Sequence, residues 1–310
     1  MKSVAPRLPL VLAAVAAALC LAGCQFVPVW PLGAGAAAEP PPPALAGPAL
    51  RETVLAVTQA HALVRFAAAQ PQQILQRQAI QGLAPGERIL GIDFRVARGV
   101  LYALGSSGRL YTLDVDSARL TPVGTEPIGW PLLGAHVAID FNPAVDLLRV
   151  VTEAGQNLRV NPDTGRMVDF NPQAPGLQSD LALGYVNGDA HAGRAPRLVA
   201  NGYTYNKTDS KLSTSYAIDL DLAQLVMQGS HETKVPPVSA NSGRVMTVGP
   251  LGVKGLVDAD MDISDLSNTP LAALRTDRTR LYRIDLKTGE ATLLGVIGDG
   301  SPLRSIAIEP

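Results

Sequence analysis

Cysteine is nearly missing. The 310 residues hold two, Cys20 and Cys24, both close to the N-terminus. From Gln25 onward no intrachain disulfide can form, so whatever folds there is held by its own core. Charge is also thin: charged residues make up 17% of the chain and the formal net charge is −1. Without a basic stripe or polybasic tail, nucleic acid and anionic membrane surfaces are excluded as electrostatic partners. The histidines, His61, His136, His191 and His231, are scattered. With no His-x-His, H-E-x-x-H or clustered Cys/His spacing, nothing indicates a zinc enzyme. A G-x-S-x-G elbow, an S-x-x-K pair and a phosphate-cradling glycine loop are absent as well. The apolar run Leu8–Leu19 falls short of the ~20 residues that a membrane-spanning helix needs.

What is plentiful is punctuation. The 29 glycines and 25 prolines are spread along the chain, a distribution that suits many short strands joined by turns. At the N-terminus, Lys2 and Arg7 precede the apolar run, and Leu21-Ala22-Gly23-Cys24 follows it. This arrangement resembles the lipobox of bacterial lipoproteins. The resemblance implies a signal peptide over residues 1–23, cut before Cys24, and acyl chains (palmitate among them) on Cys24 that anchor the protein to a membrane. Gln25 in the next position is similar to outer-membrane sorting signals, which implies an outer-membrane lipoprotein with its domain in the periplasm. Residues 24–50 are rich in proline, alanine and glycine, with Pro40–Pro43 at their centre, and read as a semi-stiff tether. Residues 51–310 read as one folded domain.

That domain repeats. I-L-G-I-D-F from Ile89, V-L-Y-A-L from Val100, R-L-Y-T-L-D from Arg109 and L-T-P-V-G from Leu120 form a four-strand set. V-A-I-D-F from Val137, L-L-R-V-V from Leu147 and N-L-R-V-N from Asn157 repeat its first three members. A looser copy is expected over Ala182–Val186, Arg197–Tyr203, Thr214–Asp219 and Gln224–Met227. A clear one returns in Ala259–Ile263, Pro270–Leu274, Arg280–Leu286 and Ala291–Gly295. The segment Thr53–Gly82 offers three strands without a first, and Arg304–Ile308 offers a first without followers. Joining the two closes a ring. The expectation is an all-β propeller of about five four-stranded blades, with the C-terminal strand sealing the N-terminal blade. A six-bladed count, with Val245–Val253 in a small extra blade, is the alternative.

These residues, above all I-D-F-N-P-x-x-D-x-L-R-V-V, G-Q-N-L-R-V-N-P-D-T-G and L-Y-R-I-D-L-K-T-G-E-A-T-L-L-G, resemble a bacterial family of secreted and lipoprotein domains, DUF4394. The resemblance covers Thr53 to Pro310. It implies the fold and an extracytoplasmic setting, and it carries over no catalytic residues. The insert Asn206–Ser213 and the Asp-rich Asp258–Asp265 depart from the shared pattern.

Three constellations could carry chemistry. Asp93, Asp140 and Asp262 occupy the same place in three first strands; they are candidates either for a ring of channel carboxylates around a cation or for acceptors that lock adjacent blades. Asp258, Asp260, Asp262 and Asp265 form the densest acidic group, with calcium as the candidate cation, although the twelve-residue calcium-loop pattern is absent. The contrasting reading is a solvated face near Arg275 or Arg278. Trp130, Tyr203, Tyr205, Lys207, Arg149 and Arg159 are candidate rim contacts. Arg149 and Arg159 would suit an anionic ligand or an ion pair with Asp146 or Glu153. The turns Asn161–Gly165 and Asp285–Gly289 carry no chemistry on this reading.

The functional expectation is a lipid-anchored envelope propeller that binds a protein or an envelope polymer, without nucleic acid and without a cofactor other than calcium. A metal-dependent lactonase- or hydrolase-like propeller is the enzymatic alternative. A calcium-stabilised adhesion module is the third.

Overall fold

The computed structural model describes residues 50–310. The signal peptide expected over 1–23, the lipidation site Cys24 and the tether up to its last residue lie outside the described residues. Within them, strands form wherever apolar and β-branched residues recur between glycine, proline and Asx turns. In chain order they are β1 (Thr53–Thr58), β2 (Ala62–Ala67), β3 (Ile74–Ala79), β4 (Ile89–Arg95), β5 (Val100–Gly105), β6 (Leu110–Leu113), β7 (Leu120–Pro122), β8 (Val137–Asn142), β9 (Leu147–Thr152) and β10 (Asn157–Val160). There follow β11 (Gly184–Tyr185), β12 (Leu198–Tyr203), β13 (Ser215–Asp219), β14 (Gln224–Gln228), β15 (Arg244–Pro250), β16 (Asp258–Ile263), β17 (Pro270–Arg275), β18 (Thr279–Ile284), β19 (Ala291–Val296) and β20 (Leu303–Ile308).

Among the described residues these strands make five sheets, the blades of a β-propeller. Their orders are β20-β1-β2-β3, β4-β5-β6-β7, β8-β9-β10, β12-β13-β14-β15-β11 and β16-β17-β18-β19. The first strands β20, β4, β8, β12 and β16 neighbour one another and ring the axis. Closure runs as the repeats imply: β20 pairs antiparallel with β1 from Val54↔Ile308 to Thr58↔Leu303. Arg65 on β2 adds an ion pair to Glu309 at 2.5 Å. Joining the chain ends within one sheet leaves no unpaired inner edge between first blade and last.

The fourth sheet departs from expectation in two ways. Ala182–Val186 is not the inner strand of its blade. Only Gly184 and Tyr185 are extended, pairing parallel with Arg244 and Val245 at the outer edge. The inner strand is β12. Val245–Val253 belongs to no sixth blade, because β15 pairs antiparallel with β14 along Gln224↔Pro250 to Gln228↔Val245. An apolar run of that length cannot show from sequence alone whether it starts a sheet or ends one.

Five apolar clusters fill the spaces between neighbouring blades, such as Ile139, Phe141, Leu148 and Val150 against Tyr102, Leu104 and Leu110. Both faces of each inner strand are therefore buried, each large aliphatic side chain contributing roughly 1.5–3 kcal/mol. Gly202 shows how close the inner strands approach, since a Cβ there would meet Ile263 Cγ1 at 3.0 Å. The predicted turns form through their side chains. Asn161 Oδ1 accepts the Asp163 and Thr164 N–H groups at 2.8 and 3.2 Å. Gly165 follows at φ +69°, as such a turn requires.

Candidate functional site

The inner strands all enter the axis from one end, so equivalent residues collect in layers along it. In the deeper layer lie Asp93 on β4, Asp140 on β8 and Asp262 on β16, each contributing a carboxylate oxygen within 4.8 Å of the others. Each also reaches across a blade boundary. Asp93 Oδ2 accepts the Phe141 N–H at 2.6 Å, Asp140 Oδ1 the Tyr203 N–H at 3.1 Å, and Asp262 Oδ2 the Ile308 N–H at 2.5 Å. Asp260, one turn of the pleat earlier, does the same for the Ile306 N–H at 2.7 Å. Ser305 Oγ accepts the Ile92 N–H at 3.0 Å, which continues the pattern from β20 to β4. Of the two readings the sequence offered, the blade-locking acceptors are formed, and the same three carboxylates also stand close together at the axis.

Burial and mutual repulsion raise Asp93 and Asp140 well above the ordinary carboxylate range, with Asp262 acting on both. Burial lifts Asp260 to about 7 and Asp262 to about 6, against the downward pull of the N–H groups they accept. Two charges 4.8 Å apart would repel by about 3–4 kcal/mol at an effective dielectric near 20. Ionising all three together is therefore disfavoured, and a cation among them would relieve the repulsion. Tyr205 adjoins this layer, its hydroxyl pushed up by burial and then by Asp93, Asp140 and Asp262. Asn268 fixes its backbone through bonds of 2.7 and 2.8 Å.

At the strand-start end the axis opens into a cavity of about 190 Å³, with walls from all five inner strands or the residues just before them. Arg88, His136, Asp258 and Arg304 bring the charge. His136 stands between two carboxylates, Nδ1 3.0 Å from Glu153 and Nε2 3.3 Å from Asp258. The bond to Asp258 is the main reason that its imidazole is raised above the ordinary value. Burial alone would raise Glu153, but the Ala135 N–H, Arg197 and His136 together hold it at about 2. Arg275 reaches Asp258 at 3.4 Å from the neighbouring strand.

The other expected residues fall differently. Asp258, Asp260, Asp262 and Asp265 do not surround a point. Extended backbone spaces alternate residues by roughly 6.6 Å, and Asp258, Asp260 and Asp262 take separate partners. Arg149 and Tyr203, expected at the rim, are buried at 2% exposure. Arg149 donates to Tyr203 Oη, Asn157, Asp180 and Asn241. Arg159 joins it on Asp180 at 2.8 Å, so neither arginine pairs with Asp146 or Glu153. Asp146 instead shares buried Arg95 with Asp163, which gives the Asn161–Gly165 turn a part in tying blades together. Trp130 packs half-buried against a blade interface. Lys207 is exposed, bonded to the Asp265 carbonyl and 5.9 Å from the Tyr205 ring.

Of the charged mouth residues only Asp258 was marked in the sequence, as part of the acidic group; Arg88, His136 and Arg304 were not, although a signal exists. Arg88, His136 and Asp258, with Arg304, each stand at or within one residue of the start of an inner strand, as does Arg197 outside the cavity. Bulges at Ile89/Gly91 and Leu198/Ala200 insert a residue and disguise the common register.

This chain belongs to the family described as Domain of unknown function (DUF4394), whose profile matches residues 62–307. No curated protein matches it. Among solved structures, it is similar to a chain from "Crystal structure of Nidogen/Laminin Complex", at 13% identity and a TM-score of 0.45, covering 84% of this chain and 98% of that one.

Proposed function

For this member of the DUF4394 family, we propose a lipid-anchored binding module of the bacterial cell envelope, held by acylated Cys24 in the outer membrane and facing the periplasm. The partner is a protein or an envelope polymer that inserts a polar group into the axial mouth. The observation carrying this reading is the mouth itself: a concave, charged opening of about 190 Å³ built on the ends of five rigid strands. Recognition by a preorganised scaffold needs no group to move. The axial carboxylates suit catalysis poorly, because Asp93, Asp140 and Asp262 are only 4%, 3% and 7% exposed and already hold neighbouring blades. A photo-crosslinking residue in place of Gln59, which lines the mouth, should yield specific adducts in intact envelopes. The same residue at Lys287, on an exposed outer turn, should not. Equal adducts at both positions, or none at either, would count against the proposal.

A second reading has its own observation, the approach of three carboxylate oxygens to within 4.8 Å. A hard divalent cation such as calcium, for which oxygen ligands are the natural set, would relieve their repulsion. Metal analysis of the full chain in detergent tests it, with thermal melts in calcium and in chelator. A stoichiometric ion, and a melting point that falls with chelator and recovers with calcium, would support this reading. No ion and no shift would leave the aspartates to their backbone partners alone.

A further inference from the structure

One wall of the mouth is cationic. Arg88 and Arg304 both line the cavity, and neither makes an ion pair among the described residues. Arg304 donates from Nη2 to the Gln59 carbonyl at 3.1 Å, while its Nε is buried with no acceptor. His61 lies within electrostatic reach of both arginines, and its Nε2 is likewise buried and without a partner. Burial and Arg88 lower the Arg304 guanidinium, and burial with both arginines lowers the His61 imidazole. Burial comes first in both cases, and the closeness of the two guanidinium groups adds to it. The carboxylate lining the same cavity, Asp258, stands on β16, the strand next to β20, and is already engaged by His136 at 3.3 Å and Arg275 at 3.4 Å.

Guanidinium groups suit planar or tetrahedral oxyanions, which accept several N–H bonds at once. The opening has room for about six water molecules at ~30 Å³ each, the scale of a phosphate or a short carboxylic acid. From the unpaired arginines, the donor without an acceptor and the size of the opening, we propose that the axial mouth is an oxyanion site. Arg88 and Arg304 grip a phosphate or carboxylate group, and the buried Nε2 of His61 stands near them without a partner. This rests on the mouth being the binding surface and names the chemistry of what enters it. The group is borne by a small free acid or by the acidic end of a larger envelope molecule.

The test is binding of inorganic phosphate and of acetate to the full chain in detergent, by calorimetry and thermal shift, with chloride matched for ionic strength. Saturable binding of either anion, weakened at least about tenfold in Arg88→Gln and in Arg304→Gln but not in Arg166→Gln, is the expected result. Arg88 is exposed and off the strand ladder, so Arg88→Gln keeps the test open if Arg304→Gln does not fold. No saturation by either anion, or an unchanged affinity in Arg88→Gln, would overturn the proposal. Specific adducts at Gln59 without anion binding would then keep the mouth as a binding surface for a different chemistry. Loss of both would remove the two readings together.

Discussion

Asp140 accepts the Tyr203 N–H across a blade boundary while standing within 4.8 Å of two other carboxylates. The two relations pull in opposite directions, because the bond favours an acceptor at this place and the neighbours disfavour a charge. Asp140→Asn keeps the acceptor and removes the charge, so at pH 7 the folded state should be unchanged or more stable. Asp140→Ala strands a buried N–H, at a cost of about 1–3 kcal/mol. Urea titration of both variants separates the contributions. If Asn proved as damaging as Ala, the charge itself would be needed, as it would be for holding a cation. The same residue shows what was legible beforehand. The repeat of Asp within three first strands marked Asp93, Asp140 and Asp262 as equivalent. Arg149, by contrast, shares its strand register with no other buried arginine, and its partner Asp180 lies 31 residues away in a loop. No local pattern couples the two.

β20 illustrates an element whose meaning depends on a partner some 250 residues away in the chain. By itself L-R-S-I-A-I is a short apolar strand; in place, it supplies the inner edge for β1 and donates its Ile306 and Ile308 N–H groups to Asp260 and Asp262. A chain ending at Pro302 would expose the β1 edge and leave two buried carboxylates without their donors. Such a truncation should lose cooperative unfolding in calorimetry and associate in solution, as unpaired strand edges do. A monomer with an unchanged transition would show that closure by β20 contributes little. The fourth blade carries the opposite lesson. Its strands were readable, yet their order was not, because a two-residue strand at the outer edge occupied the place in sequence where an inner strand was expected.

The molecule as a whole should respond to pH in an unusual direction. Asp260 and Asp262, raised to about 7 and about 6, with Asp93 and Asp140 also raised, hold protons that the unfolded chain releases near pH 4. Their stabilisation is full below that value and is lost as pH rises through the folded values. His136, raised by Asp258, likewise gives up its contribution as pH rises. Glu153, held at about 2, acts the other way, stabilising above its unfolded value and losing that effect only in strong acid. The balance places maximum stability near pH 5. Melting at pH 8 in chelator should occur about 5 °C lower or more, given roughly 2–4 °C per kcal/mol for a domain of this size. A bound cation would reverse the slope by favouring the ionised carboxylates, so a melting point that rises from pH 5 to pH 8 in calcium would decide for the cation reading.

Sequence alone determined the strands, most of the turns, the ring of repeats and its closure, because period, β-branching, Asx side chains and glycine act over a few residues and recur in register. It also marked the equivalent aspartates, since equivalence is itself a matter of repeat. Tertiary structure alone decided which strand is innermost in the fourth blade, which carboxylate neutralises Arg149, and that Arg88, His136, Asp258 and Arg304 share one opening. Those outcomes depend on distances between blades, and such distances exist only once five separate sheets have packed around a common axis.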